Sequence, residues 1–402
     1  MTYDTIGRAA LCAVALLWAC GDGDSGDADP TQDDDGFEVD AMEADEETCS
    51  VLIGGHCITD TIEDECGLDT GYDGDIMCLK APDPDEGFQL HIGPTEYTAE
   101  GMADFILEPG VEDVRCLYEI TPNDTGKTYY ESLVHMRPVS HHLITTIVAP
   151  EAMPADYDGS WTGCGQSVFD AQSSLPGSQS VRKQTPTDGV YPPEYTNVGY
   201  YVLPNRIVRH ELHFLNTTDG DLLREAWTNV YYKPQEEVEE YINPVAAFGS
   251  TRLVTQPGTH VVNKNQLAVN GSFKAVSLYG HYHAHTTRFS IWRERAGERL
   301  LVYEDFDWFD PTTFAYNSIT ENPEPDRALL NPGASTGVLE FEEGDVVHWE
   351  CEVLNDSEVP LPYRNEALTG EMCNVFGESV GPGRIGRSLR DDSPGIEVPV
   401  EQ

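Results

Sequence analysis

Between Leu278 and Trp292 the chain reads LYGHYHAHTTRFSIW. Three histidines, His281, His283 and His285, fall at alternate positions, and the residues after them (Thr286, Thr287, Phe289, Ile291, Trp292) are β-branched or aromatic. Such residues favour a strand over a helix, and the side-chain period of two in a strand aims all three imidazoles from one face. An H-x-H pair on that face offers a metal two nitrogen ligands on a rigid element. The same pattern also describes polar residues on a solvated sheet face, so the segment by itself constrains the fold more than the function.

The rest of the chain has the same texture. From Phe88 the runs FQLHIGPTEY, ADFILEP, VRCLYEI, ESLVHMRP and HHLITTIVAP are short, alternating or apolar, and broken by Gly, Pro, Asn and Asp. NVGYYVL and RIVRHELHFLN follow, then a charged stretch from Asp219 to Tyr241 that reads as a link between two domains. STRLVT, HVVNK, QLAVNG, the H-x-H strand, RLLVYEDFDWFDPTTFAY and VLEFEEGDVVHWECEVLND complete a second set. Strand-and-turn spacing of this kind predicts an all-β protein. The expectation is two consecutive antiparallel β-sandwich domains, residues 87–232 and 233–380, followed by a loose tail at 381–402.

What precedes them reads differently. Arg8 and the apolar run Ala9 to Trp18 look like a secretory leader over residues 1–20. Leu17-Trp18-Ala19-Cys20 resembles a bacterial lipobox, which makes Cys20 a lipidation site; an ordinary cleaved signal peptide is the alternative. The apolar run is too short for a permanent membrane span. Residues 21–47 are acidic and nearly free of aromatics, a composition expected to form a disordered tether. Cys49, Cys57, Cys66 and Cys78 then suggest a small disulfide-rich segment over 48–86, with pairing not readable from spacing. The expected location is outside the cytoplasm, lipid-anchored to a bacterial cell envelope, with the membrane met only through that anchor. Of ten cysteines, Cys12 and Cys20 are spent on the leader and the lipid, leaving eight for an oxidising compartment. A formal charge of −48 argues against nucleic acid as a partner, since phosphate binding needs clustered Lys and Arg.

Two histidine groups need care. His141-His142 opens a strand-like run, and adjacent strand residues face opposite ways, so a shared role requires a bulge or a strand end. His210-Glu211-Leu212-His213 resembles a zinc-protease motif, but that motif needs histidines four apart on a helix. Here they are three apart among β formers, so His213 and Glu211 share one face and His210 points the other way.

Taken in order, His141-His142, His213 in HFLN, His281-Tyr282-His283 and Met372-Cys373 in GEMCN resemble the type II copper, ascorbate-dependent monooxygenases. That is the family of peptidylglycine α-hydroxylating monooxygenase and dopamine β-monooxygenase. DFDWFDPTTFAY resembles the segment following H-x-H in that family, and the resemblance covers roughly Phe88 to Val380. It implies two coppers per chain, one on His141, His142 and His213 and the other on His281, His283 and Met372. It also implies disulfides Cys351–Cys373, beside the methionine, and Cys116–Cys164, bracketing the His-His pair. Aligning Phe289 selects His281 and His283, with His283 and His285 as the competing pair.

The chemistry implied by the resemblance is hydroxylation of a C–H bond of a small molecule or peptide. Molecular oxygen is activated at the His281–His283–Met372 copper, and ascorbate supplies electrons through the all-histidine copper. A thioether favours Cu(I), and imidazole suits both oxidation states. Tyr279, Asn374 and Phe376 fall at substrate-binding positions of the family. Tyr279 replaces an arginine that holds a substrate carboxylate, which argues against a C-terminal peptidylglycine. A non-catalytic copper-binding or electron-transfer lipoprotein with the same fold is the alternative.

Overall fold

In HVVNKNQLAVN buried and more exposed side chains alternate along the whole segment, as expected of a strand covered on one face. Segments of this kind build nearly all of the computed structural model. It describes residues 51–53, 56–58, 63–164, 171–179, 181–185, 197–308, 314–315, 339–388 and 396–398. The expected leader with Cys20, the acidic stretch 21–47 and Cys49 lie outside the described residues.

We number the principal strands in chain order. The first half contributes β1 (Gly87–Ile92), β2 (Glu112–Ile120), β3 (Lys127–Met136), β4 (Ser140–Val148) and β5 (Ala171–Ser174). It continues with β6 (Arg182–Thr185), β7 (Val198–Val202), β8 (Ile207–Leu215) and β9 (Ala226–Tyr232). The second half contributes β10 (Glu240–Ala247), β11 (His260–Asn270), β12 (Phe273–Tyr282) and β13 (Thr286–Arg295). β14 (Glu298–Asp305), β15 (Val346–Leu354) and β16 (Cys373–Val380) complete it. The fold is all-β.

Each half is a sandwich. In the first, the sheet β2-β8-β4-β5 faces strands β7, β3, β9 and β1, and Phe88, Tyr129, Ile147, Val208 and Val230 from the two sheets share one core. In the second, β14-β13-β15-β11 faces β12, β16 and β10 around Leu278, Tyr282, Phe289, Trp349 and Val375. One inner sheet belongs to both halves. Its order β12-β16-β10-β7-β3-β9-β1 runs without a break, because β7 and β10 pair in parallel through Val198↔Glu240 and Gly199↔Tyr241. Val198 and Tyr130 from one half bury against Ile242, Val276 and Val380 from the other. Residues Thr48–Gln402 accordingly form one compact unit.

Two expectations change, and the cysteine-rich segment gains a definite place. The charged stretch from Asp219 to Tyr241 is largely structural: AWTNVYY is β9, paired with both β1 and β3, and only Lys233–Glu239 connects the halves. Its charged flanks masked an apolar strand. The tail is not loose throughout. Arg384–Ser388 and Ile396–Val398 pair with β11, whose open edge offers backbone groups that need partners. The cysteine-rich segment is also docked onto the first sandwich. Cys66 bonds Cys78, and the fully buried Arg137 reaches Asp75 at 2.8 Å, Glu225 at 2.7 Å and the Asp73 carbonyl at 3.0 Å. A buried guanidinium is stable only when its donors are met, and here two carboxylates and a carbonyl meet them.

Candidate metal centre

His213 lies on β8 directly opposite His142 on β4. The next pair is Phe214↔Ser140, which leaves His141 as an extra residue on β4. That bulge answers the facing problem of adjacent histidines, since a bulged strand turns a neighbouring side chain to the same side. The preceding Val139 sits at φ 61°, a left-handed conformation that a β-branched residue adopts only under constraint. The chain is bent where the two imidazoles must converge.

The second set arrives on β12. His281 pairs with Asn374 and Tyr282 with Cys373, where the strand ends. Extending that antiparallel register by one residue sets His283 level with Met372. Gly280 is required here, because a Cβ would meet the Phe289 ring at 2.7 Å. A turn closed by the Thr286 amide to the His283 carbonyl (3.0 Å) then breaks the period of two. His285 is carried away to Asp356 (3.2 Å) and the Leu368 carbonyl (3.3 Å), so the three histidines do not share one face.

Both sets meet in one cluster. Ring centroids of His141 lie 5.2 Å from His142, 5.0 Å from His213, 5.6 Å from His281 and 5.4 Å from His283. One ring nitrogen from each of His141, His142 and His281 lies within 4.8 Å of the other two. Trp308, from the DFDWFD segment, stands 5.4 Å from His141. His210 is outside the group, engaged at Thr145 (3.2 Å) and Glu119 (2.6 Å), which fits its expected opposite face.

Four of these rings, all but His141, have one nitrogen engaged by a partner. His213 donates Nε2–H to Glu112 (2.9 Å), His142 Nε2 faces Glu211 (3.4 Å), and His283 donates Nδ1–H to the Gly370 carbonyl (3.2 Å). His281 Nδ1 lies against the Gln179 amide, with Oε1 at 2.8 Å. Nδ1 of His142, Nδ1 of His213, Nε2 of His283 and both nitrogens of His141 have no partner, though all are buried. Buried polar atoms are normally satisfied, so a group of orphaned nitrogens on clustered rings could hold a metal ion. Burial first, and then the neighbouring imidazoles, push the pKa values of His141, His213 and His281 well below the usual histidine value. The same causes take His283 down to about 3. Neutral imidazole is the form that ligates a metal.

Met372 is held from two sides. Asn374 donates to its sulfur at 3.5 Å and accepts from the Gly249 amide at 3.0 Å. Cys351–Cys373 closes beside it, and Trp349 Nε1 donates to the Cys373 carbonyl at 2.8 Å. Cys116–Cys164 forms as well. Glu371, next to the methionine, is fully buried and accepts from the His283 amide (3.3 Å), the His285 amide (2.8 Å) and the Thr286 hydroxyl (2.9 Å). Burial outweighs those bonds and pushes its pKa up to about 8.

Sequence reasoning missed Glu371, Glu112 and Gln179. Glu371 carried a faint signal, an acid directly before the methionine of GEMCN, while the other two sit in segments with no motif. Tyr279 and Phe376 line a cavity of about 280 Å³ between the halves, with Leu143, Leu175, Val245 and Phe248 as further apolar wall. Phe376 also packs 5.6 Å from His281. Asn374 is spent on Met372 instead.

No family model and no curated protein matches this chain. Among solved structures, the crystal structure of tripeptidyl peptidase 2 is similar over 77% of this chain at 8% identity and a TM-score of 0.18. The chain spans 24% of that protein's length, and a likeness this low carries no argument. The three disulfides among the described residues suit an oxidising compartment. No helix among the described residues is long and apolar enough to cross a membrane.

Proposed function

We propose that the protein is a copper-dependent monooxygenase that hydroxylates a C–H bond of a small molecule or peptide, with molecular oxygen and a reductant such as ascorbate. The observation that carries this reading is the convergence of five buried histidine rings, four of them with orphaned nitrogens, with Met372 level with His283 in the strand register. His141, His142 and His213 would hold one ion, and His281, His283 and Met372 the other. Bound there, copper supplies one-electron chemistry and activation of dioxygen. A nitrogen-rich set with one soft sulfur selects copper over hard cations.

The chain's own residues supply the positioning. Glu112, Glu211, Gln179 and the Gly370 carbonyl fix ring orientation and leave the opposite nitrogens as donors. Trp308 and Phe376 cover the cluster and limit water, and the adjoining cavity offers room for a substrate. With the leader and lipobox pattern, the reading extends to an exported enzyme anchored to a bacterial envelope through lipid on Cys20.

Metal-depleted protein reloaded with Cu(I) should bind two ions per chain and consume oxygen only with reductant and a hydroxylated product. Met372→Ala should keep one ion tightly and lose coupled product formation; unchanged hydroxylation would remove Met372 from the centre. A second reading is a non-catalytic copper carrier. It is favoured by the mixing of both histidine sets within 4.8 Å, which suits a single shared ion. One copper per chain, cycling without coupled oxidation of any substrate, would establish that reading instead.

A further inference from the structure

Among the described residues, one cation lines the cavity between the halves. Lys183, on β6, lines it half-buried, with its ammonium 5.2 Å over the Tyr279 ring. No carboxylate of the described residues lies within ion-pairing distance of that ammonium. Glu378 shares the wall but is tied to the Ser277 hydroxyl at 2.9 Å. Burial pulls the lysine pKa down, but Tyr279 and Glu378 outweigh it and hold the value above that of an ordinary lysine. A charged ammonium in an apolar, aromatic-walled pocket has lost much of its water, and an anionic ligand restores what it lost.

The surroundings narrow the ligand further. Thr145, Thr146, Ser173, Ser174, Ser178 and Gln179 are the neutral polar residues of the lining. With Glu378 close by and a single cation present, a monoanion is accommodated better than a phosphate dianion. On a chain carrying −48, one half-enclosed lysine facing aromatic rings is not a patch for bulk electrostatics. Gln179 and Phe376 connect this pocket to His281, one through a hydrogen bond and the other through ring packing.

We propose that the cavity binds a monocarboxylate with an aryl or alkyl body, its carboxylate taken by Lys183 and its apolar part held against Tyr279, Phe376 and Phe248. That such a molecule is the substrate rests on the monooxygenase reading; that it binds does not.

The test uses the full chain and calorimetric titration with 3-phenylpropanoate, its neutral amide and 3-phenylpropylamine. The acid should bind saturably and the amide about tenfold more weakly, the difference of one charge-assisted contact. Lys183→Met should erase that preference, and Lys183→Arg should retain it. Equal binding of acid and amide, preference for the amine, no saturable binding of the acid, or a preference surviving in Lys183→Met would each overturn the proposal. Competition by an N-acetylated tripeptide with a free C-terminus would assign the carboxylate to a peptide end, and its failure would assign it to a free small acid; both support carboxylate capture. Copper content is measured on the same samples. Copper bound without the acid defeats this inference alone, while the acid bound without copper defeats the reaction alone.

Discussion

Glu371 holds three donors from a turn that must deliver His283 to the cluster and carry His285 away from it. Glu371→Ala leaves those donors buried and unmet, at a cost of about 3 kcal/mol. Glu371→Gln keeps one acceptor and fills the same space, so its loss should be well under half as large. Urea unfolding of the two variants checks this order; equal losses would mean that the carboxyl is not what holds the turn. His135 supplies a pH dependence of known sign. Burial first, against a bond to the Met77 carbonyl, lowers its pKa to about 4. Between about 4 and 6.5 the unfolded chain binds the extra proton, so this contribution is present above pH 6.5 and is lost as pH falls toward 4. Glu371, raised to about 8, works the other way, its contribution being lost as pH rises from the ordinary glutamate value through 8. Comparing wild type with His135→Gln isolates the histidine. In metal-free protein the variant should lose about 2 kcal/mol less than wild type on going from pH 7.5 to pH 5.

At the scale of elements, the site is a meeting of strand ends. β4 enters through a bulge at His141, β12 stops at Tyr282, and β16 begins at Cys373, bonded to Cys351. The bridge closes a loop of about twenty residues, worth about 3 kcal/mol by chain entropy. The double variant Cys351→Ser, Cys373→Ser should lose that much by urea midpoint and hold Cu(I) less well; undiminished Cu(I) affinity would make the bridge irrelevant to Met372. Much of this was legible in sequence, because H-x-H, His-His, HFLN and GEMCN carry their residue types at fixed short spacings. The spacing of the three histidines does not choose between His281 and His285, and only the alignment of Phe289 with the resembled family favours His281. The choice depends on where β12 ends, and that is decided by the Glu371 carboxyl, eighty-six residues downstream of His285. Glu112 and Gln179 were invisible for the same reason, since each reaches across to a partner far along the chain. Tyr279 read as the loss of a cation; Lys183, from another strand, stands over it.

The molecule as a whole joins its halves through backbone as well as side chains. The order β16-β10-β7-β3 crosses from the second half to the first inside one sheet, and Val198, Tyr130, Ile242, Val276 and Val380 are buried at the crossing. No residue pattern announces such a pairing, which is why the change of texture near Lys233 reads as a simple boundary. Cutting the chain between Tyr232 and Lys233 should give two pieces that aggregate when made separately, each with a bare β7 or β10 edge. Made together, they should recover a one-to-one complex, and light scattering distinguishes the outcomes. Two well-behaved monomers would mean that the shared sheet contributes little. The parallel pair Val198↔Glu240 and Gly199↔Tyr241 is therefore a weld, and any truncation or module exchange planned at residue 233 would cut through the middle of one fabric.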